Sequence, residues 1–420
     1  MSRRFFRSVL VYAFTLALAC AAWLPVGAIP QTPAQSAVPH VVIGSGTAAS
    51  CENQTAANAF DAAVSAGGEI TFACGPVPVT IVVNTNVTDK TVTVDGAGLV
   101  TLSGDNLRQI FLLAGSANLT LNNITLIDGQ GFGGAAIAVN SAQASATINN
   151  SFLISHDSGN SNGGAIYNVG TVTINNSTLG ANRSNSFGGA IFNNGGTVTI
   201  RNTTIINNDA LQGAGIWHSE GTVTIENSAI RTNRATAEGG GVHIDVGTVT
   251  VTNTTFYDNQ AAGGGGGIYM RGTNLTITNS TFTQNRANTA GALWNFAGTT
   301  KVKNTIFNDS RGTNGSGSSL NCDGPAVISE GRNIVSDNSC VPNPSSVEDL
   351  LGTDPKLEAF INDNGSPTRS FMLLPDSPAI DYARNCPATD QRGVVRPVGA
   401  NCDVGAVEYA KFVYLPLITN

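Results

Sequence analysis

The sequence predicts an all-β solenoid with 25 to 26 residues per coil, and three observations carry that prediction. Glycine-rich words ("GGAIYN", "GGAIFN", "GAGIWH", "GGVHID", "GGIYMR", "GALWNF") each contain one aliphatic residue, at Ile166, Ile191, Ile216, Val242, Ile268 and Leu293, in steps of 25 or 26. Asparagines keep nearly the same step: Asn123, Asn150, Asn176, Asn202, Asn227, Asn253, Asn279 and Asn304 form one column, and Asn182, Asn208, Asn233, Asn259 and Asn285 a second. Within each copy, apolar residues alternate over short β-branched runs such as "TVTI", with Gly or Asn between runs and no helical stretch of useful length. A fixed period of this kind marks a stacked repeat, and coils stacked at about 4.8 Å turn each column into a ladder.

The elements follow in chain order. Residues 1–28 hold three arginines, an apolar run and small residues before Ala28, the pattern of a secretory signal. Acylation at Cys20 would need a leucine three positions earlier, where "ALAC" has alanine. Residues 29–48 read as a linker, and residues 49–310 as an N-terminal cap followed by the array. Residues 311–408 form an irregular C-terminal region, and residues 409–420 a tail with no apolar span.

In the array the aliphatic columns are expected to fill a narrow core and the threonines of "TVTI" to face solvent. Asparagine tolerates the left-handed backbone of a sharp corner, and stacked amides can hydrogen-bond from coil to coil. Beyond the leader stand six cysteines, Cys51, Cys74, Cys322, Cys340, Cys386 and Cys402, an even number suited to an oxidising compartment. They fall in three close pairs outside the array, so nearest-neighbour disulfides are expected.

Composition narrows the partners. Charged residues make up 12% and the formal charge is -7 with only 21 Lys+Arg, so no basic surface for nucleic acid or an anionic membrane is available. No segment after the leader is long and apolar enough to span a bilayer. The expected location is secreted or cell-surface, and the expected partner an extracellular glycan or a surface protein.

The "GGAI" words together with "FYDN" and "FTQN" resemble the repeats of bacterial polymorphic outer membrane proteins. Over roughly residues 70 to 310 the chain resembles a right-handed parallel β-helix of the pectin-lyase-like type. "FDAAVSAGGEITFACG" is similar to the helix and first strand that cap such solenoids. After residue 310, "GRNIVSDNSC", "LGTDPKL", "NDNGSPTRSFMLLPDSPAID", "DQRGVVRP" and "CDVGAVE" arrive in the order of a choice-of-anchor Q domain. That resemblance implies display at the cell surface. "LPLIT" near the C-terminus resembles a sortase signal only superficially, since the glycine is missing.

Three rows could carry function. Directly after the aliphatic ladder stand Tyr167, Phe192, Trp217, His243, Tyr269 and Trp294. Neighbours on a strand point to opposite faces, so this column is expected to turn outward as an exposed aromatic strip for sugar rings or another apolar partner. His243 and Asp245 are the one acid/base candidate, weighed against an ordinary solvated pair. The row Asp157, Arg183, Asp209, Arg234, Gln260 and Arg286 alternates in sign, as exposed ladder pairing would.

Polyuronate-cleaving enzymes of the pectin-lyase-like superfamily use clustered acids with Arg or Lys, and no such cluster shares a strand here. No cofactor and no metal are expected. The leading expectation is a non-catalytic scaffold for adhesion or glycan contact; the alternative is a polysaccharide lyase or glycoside hydrolase.

Overall fold

A computed structural model describes residues 38–312, 320–325, 327–341, 348–358 and 368–409. The predicted signal segment with Cys20, residues 29–37 of the expected linker and all of the tail but Tyr409 lie outside the described residues. The chain is a right-handed parallel β-helix, as its periodicity and resemblance predicted.

The N-terminal end is closed by one helix. Helix α1 (Gln54–Ala66) starts where the Asn53 side chain accepts the Ala56 N–H at 2.9 Å, and stops at Gly67, whose φ of 84° takes the chain out of the helix. Its buried face, Ala56, Ala57, Phe60, Ala63 and Val64, covers the first coil. The Phe60 ring stacks on Phe72 at 6.0 Å and meets Phe111 edge-on at 6.3 Å. The helix therefore caps the open end of a core that would otherwise expose apolar side chains. The Cys51–Cys74 disulfide ties its start to the strand Gly68–Phe72, with Cα atoms 5.7 Å apart.

One coil shows the layout, although in most other coils the first-sheet strand is split in two, as in Ile166–Asn168 and Thr171–Asn175. A long strand (Ile191–Arg201) belongs to the first sheet, a short one (Thr204–Ile206) to the second and a two-residue one (Asp209–Ala210) to the third. All pairings between coils are parallel, and the aliphatic column is in register: Ile166 against Ile191, Ile191 against Ile216, Ile216 against Val242. Each of these side chains is fully buried, as is the phenylalanine ladder Phe256, Phe282 and Phe307, stacked at 4.4 and 5.1 Å.

The asparagine columns divide the two tasks expected of them. All eight residues from Asn123 to Asn304 turn the first corner with φ between 45° and 50°. At the second corner the left-handed residue is the one before the buried asparagine: Ala181, Asn207, Thr232, Asp258 and Gln284. The buried asparagines then stack. Asn182, Asn208, Asn233 and Asn259 each pass Nδ2 to the next side-chain oxygen, at 3.0, 2.8, 2.9 and 2.9 Å. Each Nδ2 also donates to a carbonyl of the preceding coil, such as Leu179 O from Asn208 at 3.2 Å, so no amide hydrogen is wasted in the core.

The solenoid does not end at residue 310. Strands Cys322–Asp323, Ile328–Ser329 and Ile334–Val335 pair with the coil before them, and Leu350–Leu351 pairs with Ile334–Val335. Short strands with weak alternation hid this continuation from the repeat pattern. The other two disulfides join Cys322 to Cys340 and Cys386 to Cys402, the pairing expected from spacing.

Residues 368–409 then fold back along the solenoid. Asn253, Asn279 and Asn304 at the first corner donate to the carbonyls of Thr389, Asp403 and Arg384 at 2.8, 3.2 and 2.9 Å. Thr255 bonds Gln391 at 2.6 Å, and Ala406 N–H bonds Thr281 at 3.0 Å. Inside this segment are two buried ion pairs, both at 2.6 Å: Arg392 with Asp390 lies within the motif "DQRGVVRP", and Arg396 with Glu408 joins that motif to "CDVGAVE", as does the Arg392 hydrogen bond to Glu408 O at 2.6 Å. Burial raises the Asp403 carboxyl to about 6, against the pull of N–H groups from Tyr409 and Asp381 and the Arg396 charge.

Candidate functional site

The aromatic column is real but it is not exposed. Its members sit one above another, with ring centroids 5.4 Å apart between Tyr167 and Phe192, 4.7 Å between Phe192 and Trp217, 5.8 Å between Trp217 and His243, 4.7 Å between His243 and Tyr269, and 5.1 Å between Tyr269 and Trp294. They point away from the aliphatic core, as strand alternation requires. Yet Phe192, Trp217, His243 and Tyr269 are only 5%, 8%, 3% and 7% exposed.

The cover comes from the turns that lead from the third sheet back to the first. Phe187 in one such turn stacks on Trp217 at 5.1 Å and on Phe192 at 6.5 Å. At Gly264 in another, a Cβ would stand 1.6 Å from the Trp294 ring, so glycine alone permits that approach. Only the two ends, Tyr167 and Trp294, keep part of their surface in water. The predicted sugar platform is therefore a spine between turns and sheet; strand alternation gave the direction of the side chains but not what the turns lay over them.

The acid/base candidate is taken apart in the same way. Burial, with the Arg271 charge nearby, lowers the pKa of His243 to about 3, so its imidazole is neutral at any ordinary pH. The Asp245 carboxylate is engaged by Arg271 one coil on, at 3.2 Å. His218 on the neighbouring coil faces the interior, its Nδ1 3.1 Å from Asn193 Nδ2, and burial lowers its pKa to about 4.

His156 is buried too, at about 3, and stands in the second asparagine column. Its Nδ1 accepts the Gly129 N–H at 2.9 Å and its Nε2 donates to Leu126 O at 3.1 Å. It performs the hydrogen bonding of the asparagine it replaces.

The charged row behaves differently from the expectation. Arg183, Asp209, Arg234, Gln260 and Arg286 are in register along the third sheet. Among the described residues, however, no ion pair joins Arg183, Asp209 and Arg234. Arg286 turns instead to Asp258 at 3.5 Å, and Arg311 to Asp309 at 2.6 Å.

Beside the row, Ala210, Ala235, Ala261 and Ala287 form a buried floor. Two shallow cavities of about 330 and 280 Å³, sharing Arg234 and Thr236, run end to end over it. One polar side chain per coil therefore edges a groove parallel to the solenoid axis. Alanine after each polar residue of the row, in "DA", "RA", "QA" and "RA", was the signal in the sequence for this floor. Among the described residues no group of three His, Cys, Asp or Glu is placed to hold a metal ion.

Comparison with family models matches residues 213–345 to the right-handed β-helix region family. No curated protein and no solved structure matches the chain. Class and fold agree: this is a right-handed parallel β-helix protein. The fold hosts both enzymes and scaffolds, so activity has to be argued from the side chains.

Proposed function

We propose that the protein is a non-catalytic scaffold of the cell exterior that contacts an extended extracellular glycan along the groove of the third sheet. The observation that carries this reading is the groove itself. An uninterrupted alanine floor gives a polymer room to lie along the axis, and Arg183, Asp209, Arg234 and Gln260 offer one hydrogen-bonding group per coil. Guanidinium groups suit uronate carboxylates, and Asp or Gln suits hydroxyls.

The three disulfides fit an oxidising compartment, and no helix among the described residues is long and apolar enough to cross a membrane. The resemblance of the C-terminal words to a choice-of-anchor domain supports surface display. The hydrolase or lyase alternative loses its pair to the burial of His243 and to the grip of Arg271 on Asp245.

Purified protein screened on acidic and neutral polysaccharides tests the proposal. Binding that falls when Arg183 and Arg234 are both replaced by Glu, with no new unsaturated or reducing ends, supports it. Binding indifferent to that charge reversal removes the groove, and turnover of any polysaccharide removes the scaffold.

A further inference from the structure

The outward positions of the "TVTI" strands form a second feature, separate from the groove. One column reads Thr93, Thr120, Thr147, Thr173, Thr199, Thr224, Thr250 and Thr276, eight threonines paired in unbroken register. Two residues earlier on the same strands a parallel column reads Thr91, Asn118, Ser145, Thr171, Thr197, Thr222, Thr248 and Asn274. Neither column contains a charge or an aromatic ring. Lys301 breaks the first in the next coil, and Arg201 and Glu226, paired at 2.7 Å, border the columns on the corner side.

Strand geometry makes these columns a rectangular grid, about 4.8 Å between coils and about 6.7 Å along each strand. The eight hydroxyls of the first column make no side-chain hydrogen bond to any described residue, and Thr171, Thr197, Thr222 and Thr248 are exposed. Residues 368–409 pack on the corner and the second sheet, and their hydrogen bonds to the solenoid leave the grid untouched.

The grid describes its own partner. It carries no charge, so an ionic ligand gains nothing from it. It has no ring on which the apolar face of a sugar could stack. What its four central coils, from Thr171 to Thr250, offer is a hydroxyl and a methyl at fixed repeats in two directions, matched by an uncharged solid whose hydrogen-bonding groups repeat at the same spacings. Oxygen atoms on a prism face of hexagonal ice lie on a rectangle close to this one. We infer that the threonine grid of the first sheet is an ice-binding face, holding water in lattice positions that join the protein to an ice crystal.

The test is ice-affinity partition of the fluorescently labelled full chain, alongside inhibition of ice recrystallisation. The parent chain is expected to enter a slowly growing ice hemisphere and to keep small crystals small. Thr173→Lys, Thr199→Lys and Thr224→Lys combined are expected to abolish both effects. The same column already accepts Lys301, and an unchanged melting temperature confirms that the variant is folded. Asn175→Lys with Thr252→Lys, in the bordering column, is expected to leave both effects intact.

Exclusion of the parent chain from ice overturns the inference, as does full ice uptake by the triple-lysine variant. Grid-dependent binding to microcrystalline cellulose without ice uptake overturns it in favour of a crystalline polysaccharide. A dimer that the lysines dissolve, again without ice uptake, overturns it in favour of a second copy.

Discussion

Asn208 hands both of its nearest donors to one atom: its backbone N–H reaches Asn233 Oδ1 at 3.0 Å and its side-chain Nδ2 reaches the same oxygen at 2.8 Å. Asn233 in turn donates to Ile205 O at 3.1 Å and to Asn259 Oδ1 at 2.9 Å. Asn233→Ala therefore strands the backbone N–H and an amide hydrogen of Asn208 and the carbonyl of Ile205, while Asn259 Oδ1 keeps the backbone N–H of residue 233 at 3.2 Å. Each orphaned group costs about 1–3 kcal/mol, so the variant should lose about 3 kcal/mol or more. A shift of the denaturant midpoint reads this out, with Thr224→Ala on the outer face expected within about 0.5 kcal/mol of the parent.

Acid should weaken the fold through its interior histidines. His156, His218 and His243 have folded-state pKa values of about 3, 4 and 3 against an unfolded 6.5. The unfolded chain therefore takes up protons between pH 6.5 and 4 that the folded chain refuses, and stability falls as pH falls through that window. At pH 5 the loss is ~2 kcal/mol per histidine. Asp403, raised to about 6, works in the opposite sense below pH 6, one group against three. Melting temperatures at pH 7.5 and 5 should differ clearly, and His156→Asn should narrow the gap.

Phe192 decides between a strip and a spine. As a solvent-facing platform its replacement by alanine would change stability by less than about 0.5 kcal/mol. Buried between Tyr167, Trp217 and Phe187, it should cost about 3 kcal/mol or more. Equilibrium unfolding of Phe192→Ala against the parent settles the matter.

The fold-back segment depends on Arg396. Its Nη1 meets Glu408 Oε1 at 2.6 Å and Asp403 O at 2.8 Å, and its Nη2 meets Gly405 O at 2.9 Å. Arg396→Ala leaves a buried carboxylate without its cation, a loss of about 3–5 kcal/mol. Limited proteolysis should cut within residues 368–409 of that variant while the solenoid survives. Arg396→Met combined with Glu408→Leu should restore much of the resistance.

The coil was legible because its causes are local and repeated. Ile191 and Ile216 had to stack, and Asn202 had to turn, whatever surrounded them. His156 could also have been placed, since it lies 26 residues before Asn182 in "SHDSGN". The candidate site was less legible because it depends on contacts between unlike segments. Nothing in the order of letters said that the turn carrying Phe187 lies over Trp217, or that Asp245 answers to Arg271 rather than to His243. The return of Thr389 and Asp403 to the asparagine corner is a contact across more than a hundred residues, which no periodicity encodes.

The corner asparagines bound by the returning segment also set where this molecule can change length over evolutionary time. Among the described residues, a coil between Gly134 and Asn202 bears no hydrogen bond to the C-terminal segment, whose first fastening is Thr368 Oγ1 on Asn227 O at 3.2 Å, so duplication or loss of a coil there slides the rest of the rod as a unit. Asn253, Asn279 and Asn304 are fastened at fixed intervals to Thr389, Asp403 and Arg384. Insertion of a coil between Asn227 and Asn304 would misalign every fastening beyond it, so relatives should vary in coil number before Asn227 and agree in it afterwards.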